Sequence, residues 1–444
     1  MADPATGALP ADPLGRAAIA RVSWRIIPLL CLGYLIAYMD RVNIGFASVR
    51  MNADLHFSET IYGLGGGLFF LSYALFEVPS NILLVKVGAR RWIARIMISW
   101  GVLAAAMMLV HTPMHFYILR FLLGAAEAGF FPGVIYYLAC WFPLDQRGRA
   151  ISRFYIAGPL TSVVMGAISG ALLGLDGRAG LHGWQWLFLV QGLPAIFIGL
   201  IIWRFLPEAP ERADWLPADE KAWLTDTLAA DAVRLGPPQT HGVLAALRDP
   251  VVLQLGAIGF LAIGAFYAFT LSAPKVLITG TGWDVGHVGY LVLLGGLIGA
   301  ATMLVTGAIT DRAGQRFTAF ATALALLGIG YLVLGLGSGA LVVVSAYLLF
   351  AAAWPPVTVC HVLLWTDLLP PQKRAVGCAA INSMSQIGAA VSPFLWGWAK
   401  DATGSYTPAL CTLAAMMALA VALVLRLRAN APGAVALAPL TAAA

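Results

Sequence analysis

Four charged residues fall inside long apolar runs: Asp40 and Arg41 in one, Arg120 and Glu127 in another. A charge placed at the middle of a membrane helix costs about 2.5–3.5 kcal/mol on insertion scales. Four of them left unpaired would cost on the order of 10 kcal/mol, so they must face one another or water. Arg120 and Glu127 are seven residues apart, which puts them on one helix face, about 10 Å apart along the axis. Two guanidinium and two carboxyl groups make a neutral cluster with two kinds of chemistry. A guanidinium offers a planar fork to an incoming carboxylate. A carboxyl displaced from its counter-ion in a partly desolvated place takes up a proton. An ion-pair network that only fixes helix packing is the alternative reading of the same residues.

The runs that carry these charges must be membrane helices. The chain is 60% apolar and 11% charged, whereas a soluble domain is about a quarter charged. Its 47 glycines suit membrane helices, whose backbones approach closely at small residues. Crossing the hydrocarbon core takes about 20 apolar residues, and the sequence predicts twelve such spans. They cover 25–47, 60–85, 92–111, 116–141, 150–174, 184–206, 250–277, 286–309, 317–337, 340–367, 375–399 and 406–427. Between the fifth and sixth, only Asp176, Gly177 and Arg178 mark a break; without it the count would be odd. The fold class expected is all-α: two six-helix halves, residues 23–206 and 249–428. A polar central loop, 207–248, joins them and opens a short surface helix near Pro217. Residues 1–22 and 429–444 read as disordered tails.

Arg and Lys residues set the orientation. Arg16, Arg21, Arg25, Lys86, Arg90, Arg91, Arg147, Arg149, Arg312, Arg316, Lys373, Arg374, Arg426 and Arg428 all fall on one side. The other side keeps only Arg50, Arg178, Lys275 and Lys400. By the positive-inside rule both termini are cytoplasmic. The net charge of +6 thus reports topology, and nucleic acid is not an expected partner, since no basic patch alternates with exposed aromatics. The N-terminus is no secretory signal. The five cysteines form no CxxC pair, so neither a disulfide framework nor a metal site is expected.

The halves repeat. Asn81–Arg90 reads NILLVKVGAR and Gly307–Arg316 reads GAITDRAGQR, an offset of 307 − 81 = 226 that also carries Arg147 onto Lys373. A duplicated six-span unit implies a cavity between the halves. GAITDRAGQR resembles the GxxxDRxGxR loop of the major facilitator superfamily, which implies a cytoplasmic gating role for Asp311, Arg312, Gly314 and Arg316. The first copy departs from that pattern, with Val85 where the aspartate belongs. YMDRVNIGFA at 38–47, YALFEVPSN at 73–81, RFLLGAAEAGFFPG at 120–133 and the WFP…RGRA turn at 141–150 are similar to the anion:cation symporter family. That family includes carriers for tartrate, phthalate, hydroxyphenylacetate and sugar acids.

Resemblance and charge bookkeeping imply the same function: import of a small organic anion with protons across a bacterial inner membrane, by a monomer, with the proton gradient as driving force and no cofactor. Asp40 and Glu127 are the expected proton carriers and Arg41 the expected carboxylate contact. Arg120 is either a second anion contact or the counter-ion of Asp40. Tyr73, Asn382, Ser383 and Gln386 are further candidates for the substrate, the last three as a polar stripe suited to a hydroxy acid such as tartrate. Glu77 is expected to be structural. His361 reads as a satisfied interior histidine, and the Pro355-Pro356 pair as a helix break lining a cavity. Lys275, Tyr267 and Thr270 could reach the substrate, or Lys275 could snorkel outward. An enzyme is not expected: HExxH, P-loop, GxSxG and Cys/His metal spacings are absent. Exchange or uncoupled facilitation on the same fold, and aromatic-acid symport, remain the competing readings. Gly158-Pro159 lacks the glycine-rich continuation of drug antiporters, which argues against drug efflux.

Overall fold

The computed structural model describes residues 12–155, 157–235, 248–313, 316–369 and 371–430, with only the backbone course of 159, 308–313, 366 and 371–375. The first half contains α1 (Pro13–Asp54), α2 (Glu59–Val87), α3 (Ala89–Ala106), α4 (Pro113–Glu127), α5 (Phe130–Ala139), α6 (Leu144–Tyr155), α7 (Ala157–Leu173) and α8 (Gly183–Phe205). After the linker helix α9 (Ala218–Leu235) come α10 (Pro250–Thr281), α11 (Val285–Ala313), α12 (Arg316–Leu336), α13 (Ala340–Leu368), α14 (Pro371–Thr403) and α15 (Thr407–Ala429). Among the described residues there is no strand, and eleven helical spans are long and apolar enough to cross a membrane. The 33-residue α14 is not among these eleven, although its length suffices to cross.

Local signals explain where helices begin. Asp12-Pro13, Thr112-Pro113 and Asp249-Pro250 each pair a side-chain oxygen that accepts a first-turn N–H with a proline whose fixed φ suits the helix start. Ser58 caps α2 in the same way, with Glu59 in the first turn. Because Asp12 starts α1, the helix runs through residues 13–22, which the sequence reading had left as a tail. The doubtful break after span 5 is real. Gly177 and Gly180 take positive φ, and Asp176 Oδ1 accepts from Gly183 N at 2.8 Å to open α8.

The expected helix break is not where the sequence places it. Pro355 and Pro356 do not break span 10, since α13 runs through both. Proline's φ is compatible with a helix, and the carbonyls of Ala351 and Ala352, which lose their i+4 N–H partners, are tolerated inside a membrane bundle by local adjustment of the helix. Span 4 breaks instead. Gly129 adopts φ 87° between α4 and α5, a conformation that favours glycine, and a Cβ there would strike the Ser80 side chain. Glu127 is the last residue of α4, so it lies at the break.

Within the first half α3 packs on α8 and α2 on α4; within the second, α10 packs on α14 and α12 on α13 and α15. The halves meet along α2–α14, α7–α11 and α1–α10. Glycines make these seams close. A Cβ at Gly63 or Gly67 of α2 would collide with the carbonyls of Pro393 or Ala390 of α14, and one at Gly166 of α7 with that of Gly289 of α11. The linker helix rests on the first half rather than on solvent. Arg21 of α1 makes two bonds to Glu220 (3.0 and 3.2 Å), Trp141 stacks on Trp215, and Leu144 N donates to Asp231 Oδ2 at 2.8 Å.

Candidate functional site

The span-1 and span-4 charges meet where the halves face each other. Arg41 Nη2 and Nε donate to Glu127 Oε1 at 2.6 and 3.0 Å, and Arg41 Nη1 donates to the Tyr267 hydroxyl at 3.2 Å. Rings of Tyr73, Tyr38 and Phe69 lie 5.1, 5.4 and 5.8 Å from the guanidinium carbon, within reach of cation–π attraction. The pair is nearly dry: Glu127 is 2% exposed at the side chain and Arg41 12%. Glu127 Oε2 is buried with no hydrogen-bond partner. A carboxyl oxygen left bare in this way is where a proton or an incoming donor would bind.

Asp40 points elsewhere. Asn43, one turn on, donates to its Oδ1 at 3.4 Å, while Oδ2 is buried without a partner. Asn43 in turn donates to Gln191 Oε1, and Gln191 Nε2 lies 2.9 Å from Met165 Sδ. This Asn43–Gln191 pair was not singled out in the sequence, although polar residues inside α1 and α8 were a usable signal. Arg120 donates to Gly65 O at 3.3 Å and lies over the Phe69 ring, 4.5 Å from its centre. Among the described residues no carboxylate oxygen comes within 4 Å of it, so Asp40 and Arg120 do not pair directly. Both guanidinium groups thus lie against the Phe69 ring, Arg41 at 5.8 Å and Arg120 at 4.5 Å from its centre.

The second-half candidates lie mostly along seams. Asn382 Nδ2 donates to both oxygens of Glu77 (3.1 and 3.3 Å), joining α14 to α2. Gln386, one turn on, has a buried, unpartnered Oε1, and Ser383 is half-buried. The stripe thus flanks the α2–α14 seam. Lys275 neither touches the Arg41 cluster nor snorkels; it pairs with Glu59 at 2.6 Å across the halves. His361 is buried, its Nε2–H donating to Leu255 O at 3.0 Å between Phe320 and Trp365. Trp354 stacks flat on Phe266, 3.8 Å between ring centres.

In the loop of the second half, Gly314 and the side chains of Asp311 and Arg312 lie outside the described residues; Arg316 pairs with Asp367. The first-half turn uses a different acid from the missing one at Val85. Glu208, just past α8, accepts from Arg90 N at 3.1 Å and pairs with its side chain at 3.6 Å. Sequence spacing gave no hint of it, since 118 residues separate the two.

Residues 30–393 match the profile of the family described as Major Facilitator Superfamily. The chain belongs to the major facilitator superfamily. A relative from Agrobacterium vitis named for tartrate transport is 40% identical over 94% of this chain and 92% of its own. A transporter named for quinolone resistance in Acinetobacter baumannii is 38% identical over 90% and 92%. The inward-open xylose transporter XylE from E. coli shares the fold with a TM-score of 0.74 at 16% identity, covering 91% of this chain and 96% of that one. Membership makes this a multi-pass membrane transporter, built as two six-helix halves, and not an enzyme.

Proposed function

We propose that this transporter imports a small organic anion together with protons, by alternating access of a site centred on Arg41. The observation that carries the proposal is the Arg41–Glu127 pair: a guanidinium held by one carboxylate oxygen while the other oxygen, buried, has no partner. An incoming carboxylate takes the guanidinium fork in place of Glu127. Glu127, deprived of its counter-ion in a dry site, takes a proton and becomes neutral. Anion and proton then move together, and net charge in the site stays near zero. Asp40, buried, with Asn43 as its hydrogen-bond partner and a bare Oδ2, is the second proton site. Arg120, with no carboxylate oxygen within 4 Å, is free to make a second anion contact beside Phe69.

Tyr73 and Tyr267, both against Arg41, would orient the bound anion, with Ser383 and Gln386 meeting its hydroxyls. The relatives named for tartrate transport support a hydroxy acid. Charge bias supports cytoplasmic termini and insertion in the bacterial inner membrane. The proton gradient is the driving force, with no cofactor, and the monomer is the working unit.

The test is uptake into proteoliposomes holding the purified protein, with the anion chosen by a thermal-shift screen of hydroxy acids, dicarboxylates and aromatic acids. An inward proton gradient should drive accumulation above equilibrium. Equal uptake with and without the gradient would replace symport by facilitation or exchange.

A further inference from the structure

The halves are also joined by charge at the end of the molecule away from the basic turns, about 12 Å along α10 from Tyr267 to Lys275. Lys275 Nζ of α10 sits 2.6 Å from Glu59 Oε1 at the start of α2, above the Tyr62 ring. Asp401, near the end of α14, accepts from Glu59 N at 3.1 Å, Thr60 N at 2.7 Å and Thr60 Oγ1 at 2.5 Å. Its carboxylate thus satisfies first-turn N–H groups of a helix in the other half and faces that helix's positive end. Just inside, the Tyr62 hydroxyl bonds Leu271 O at 2.7 Å and Ile44 O at 3.1 Å. Gly397 lets α14 approach the Glu59 backbone too closely for any Cβ.

We infer that Lys275, Asp401 and Tyr62 form a latch that holds this end closed, and that it must open for the Arg41 site to be reached from there. Every contact in it crosses from one half to the other, apart from Tyr62 to Ile44. Its strongest parts are two charge-assisted contacts on one helix end: Lys275 on the Glu59 side chain and Asp401 on the Glu59–Thr60 backbone. The Lys275–Glu59 contact is partly dry, its side chains 13% and 17% exposed, so it is screened less than a surface pair, whereas Asp401 is exposed and acts on the Glu59–Thr60 backbone from the rim. Their removal should shift the transporter toward the state open at this end.

The inference concerns access and stands whatever the substrate or coupling ion is. Its test uses a reporter, Thr270→Cys, in full-length protein whose five native cysteines are replaced. Thr270 Oγ1 is buried without a partner between the latch and Tyr267. A membrane-impermeant maleimide added from the side of the α1–α2 loop reads access. Lys275→Met and Asp401→Asn should each raise the labelling rate at least fivefold, and the exchanged pair Glu59→Lys with Lys275→Glu should return it toward that of the parent. Size-exclusion profiles establish that each variant is folded, and either single variant suffices. Unchanged labelling in a folded single variant would overturn the latch, as would a rise that the exchanged pair does not reverse.

Discussion

Arg41 donates to the Tyr267 hydroxyl at 3.2 Å, and the two residues are 226 positions apart, the same offset that superimposes the turns of the two halves. Equivalent positions of the repeat therefore touch across the interface. The offset also carries Asp40 onto Phe266, Arg120 onto Ala346 and Glu127 onto Ala353. Every charge of the first half's cluster meets a neutral residue in its counterpart. Duplication supplied the frame, and one copy carries the charge chemistry.

That contact gives the first prediction. Tyr267→Phe removes one acceptor from Arg41 and keeps the ring against Phe70, 4.2 Å between centres. A hydrogen bond to a charged group is worth about 1.5–3 kcal/mol. Anion affinity, measured by titration calorimetry, should fall about tenfold with the protein's melting temperature little changed.

Arg41→Lys retains the positive charge beside Glu127 but loses the fork that reaches Glu127 and Tyr267 together. Affinity for the anion should fall at least tenfold. An unchanged affinity would move the carboxylate contact to Arg120.

Asn382→Asp tests the α2–α14 seam. It puts a carboxylate where an amide donates to both oxygens of Glu77, and like charges at a half-buried site repel. Thermal unfolding followed by fluorescence should begin at least 5 °C lower, and Asn382→Asp combined with Glu77→Gln should recover most of the loss. Failure of the double variant to recover would mean that Asn382 acts on something other than Glu77.

His361 lies outside the Arg41 cluster, its ring nitrogen satisfied by Leu255 O. His361→Gln should lower the melting temperature while leaving the pH profile of uptake in place. A displaced profile would bring this histidine into the proton path.

How far the sequence carries follows from the range of each interaction. Twelve spans, the basic turns and the out-of-place charges are legible because burial and insertion act on each helix by itself. The α9 start after Pro217 and the real break at Gly177 are local signals of the same kind. The sequence expects a break at Pro355-Pro356 and none at Gly129, although the run Gly129-Phe130-Phe131-Pro132 also carries a glycine and a proline. Backbone φ and neighbouring side chains decided between them. Glu208, Glu59 and Asp401 look like ordinary loop charges, and their partners are 118 to 342 residues away. A polar stripe such as Asn382 and Gln386 shows that a helix face has a polar neighbour, without saying which helix supplies it.

Glu127→Gln tests proton coupling by the Arg41 site most directly, because it keeps the shape of the side chain and removes its titration. In proteoliposomes, gradient-driven accumulation should be abolished while exchange of labelled for unlabelled anion continues. Full retention of gradient-driven accumulation in this variant would contradict the account.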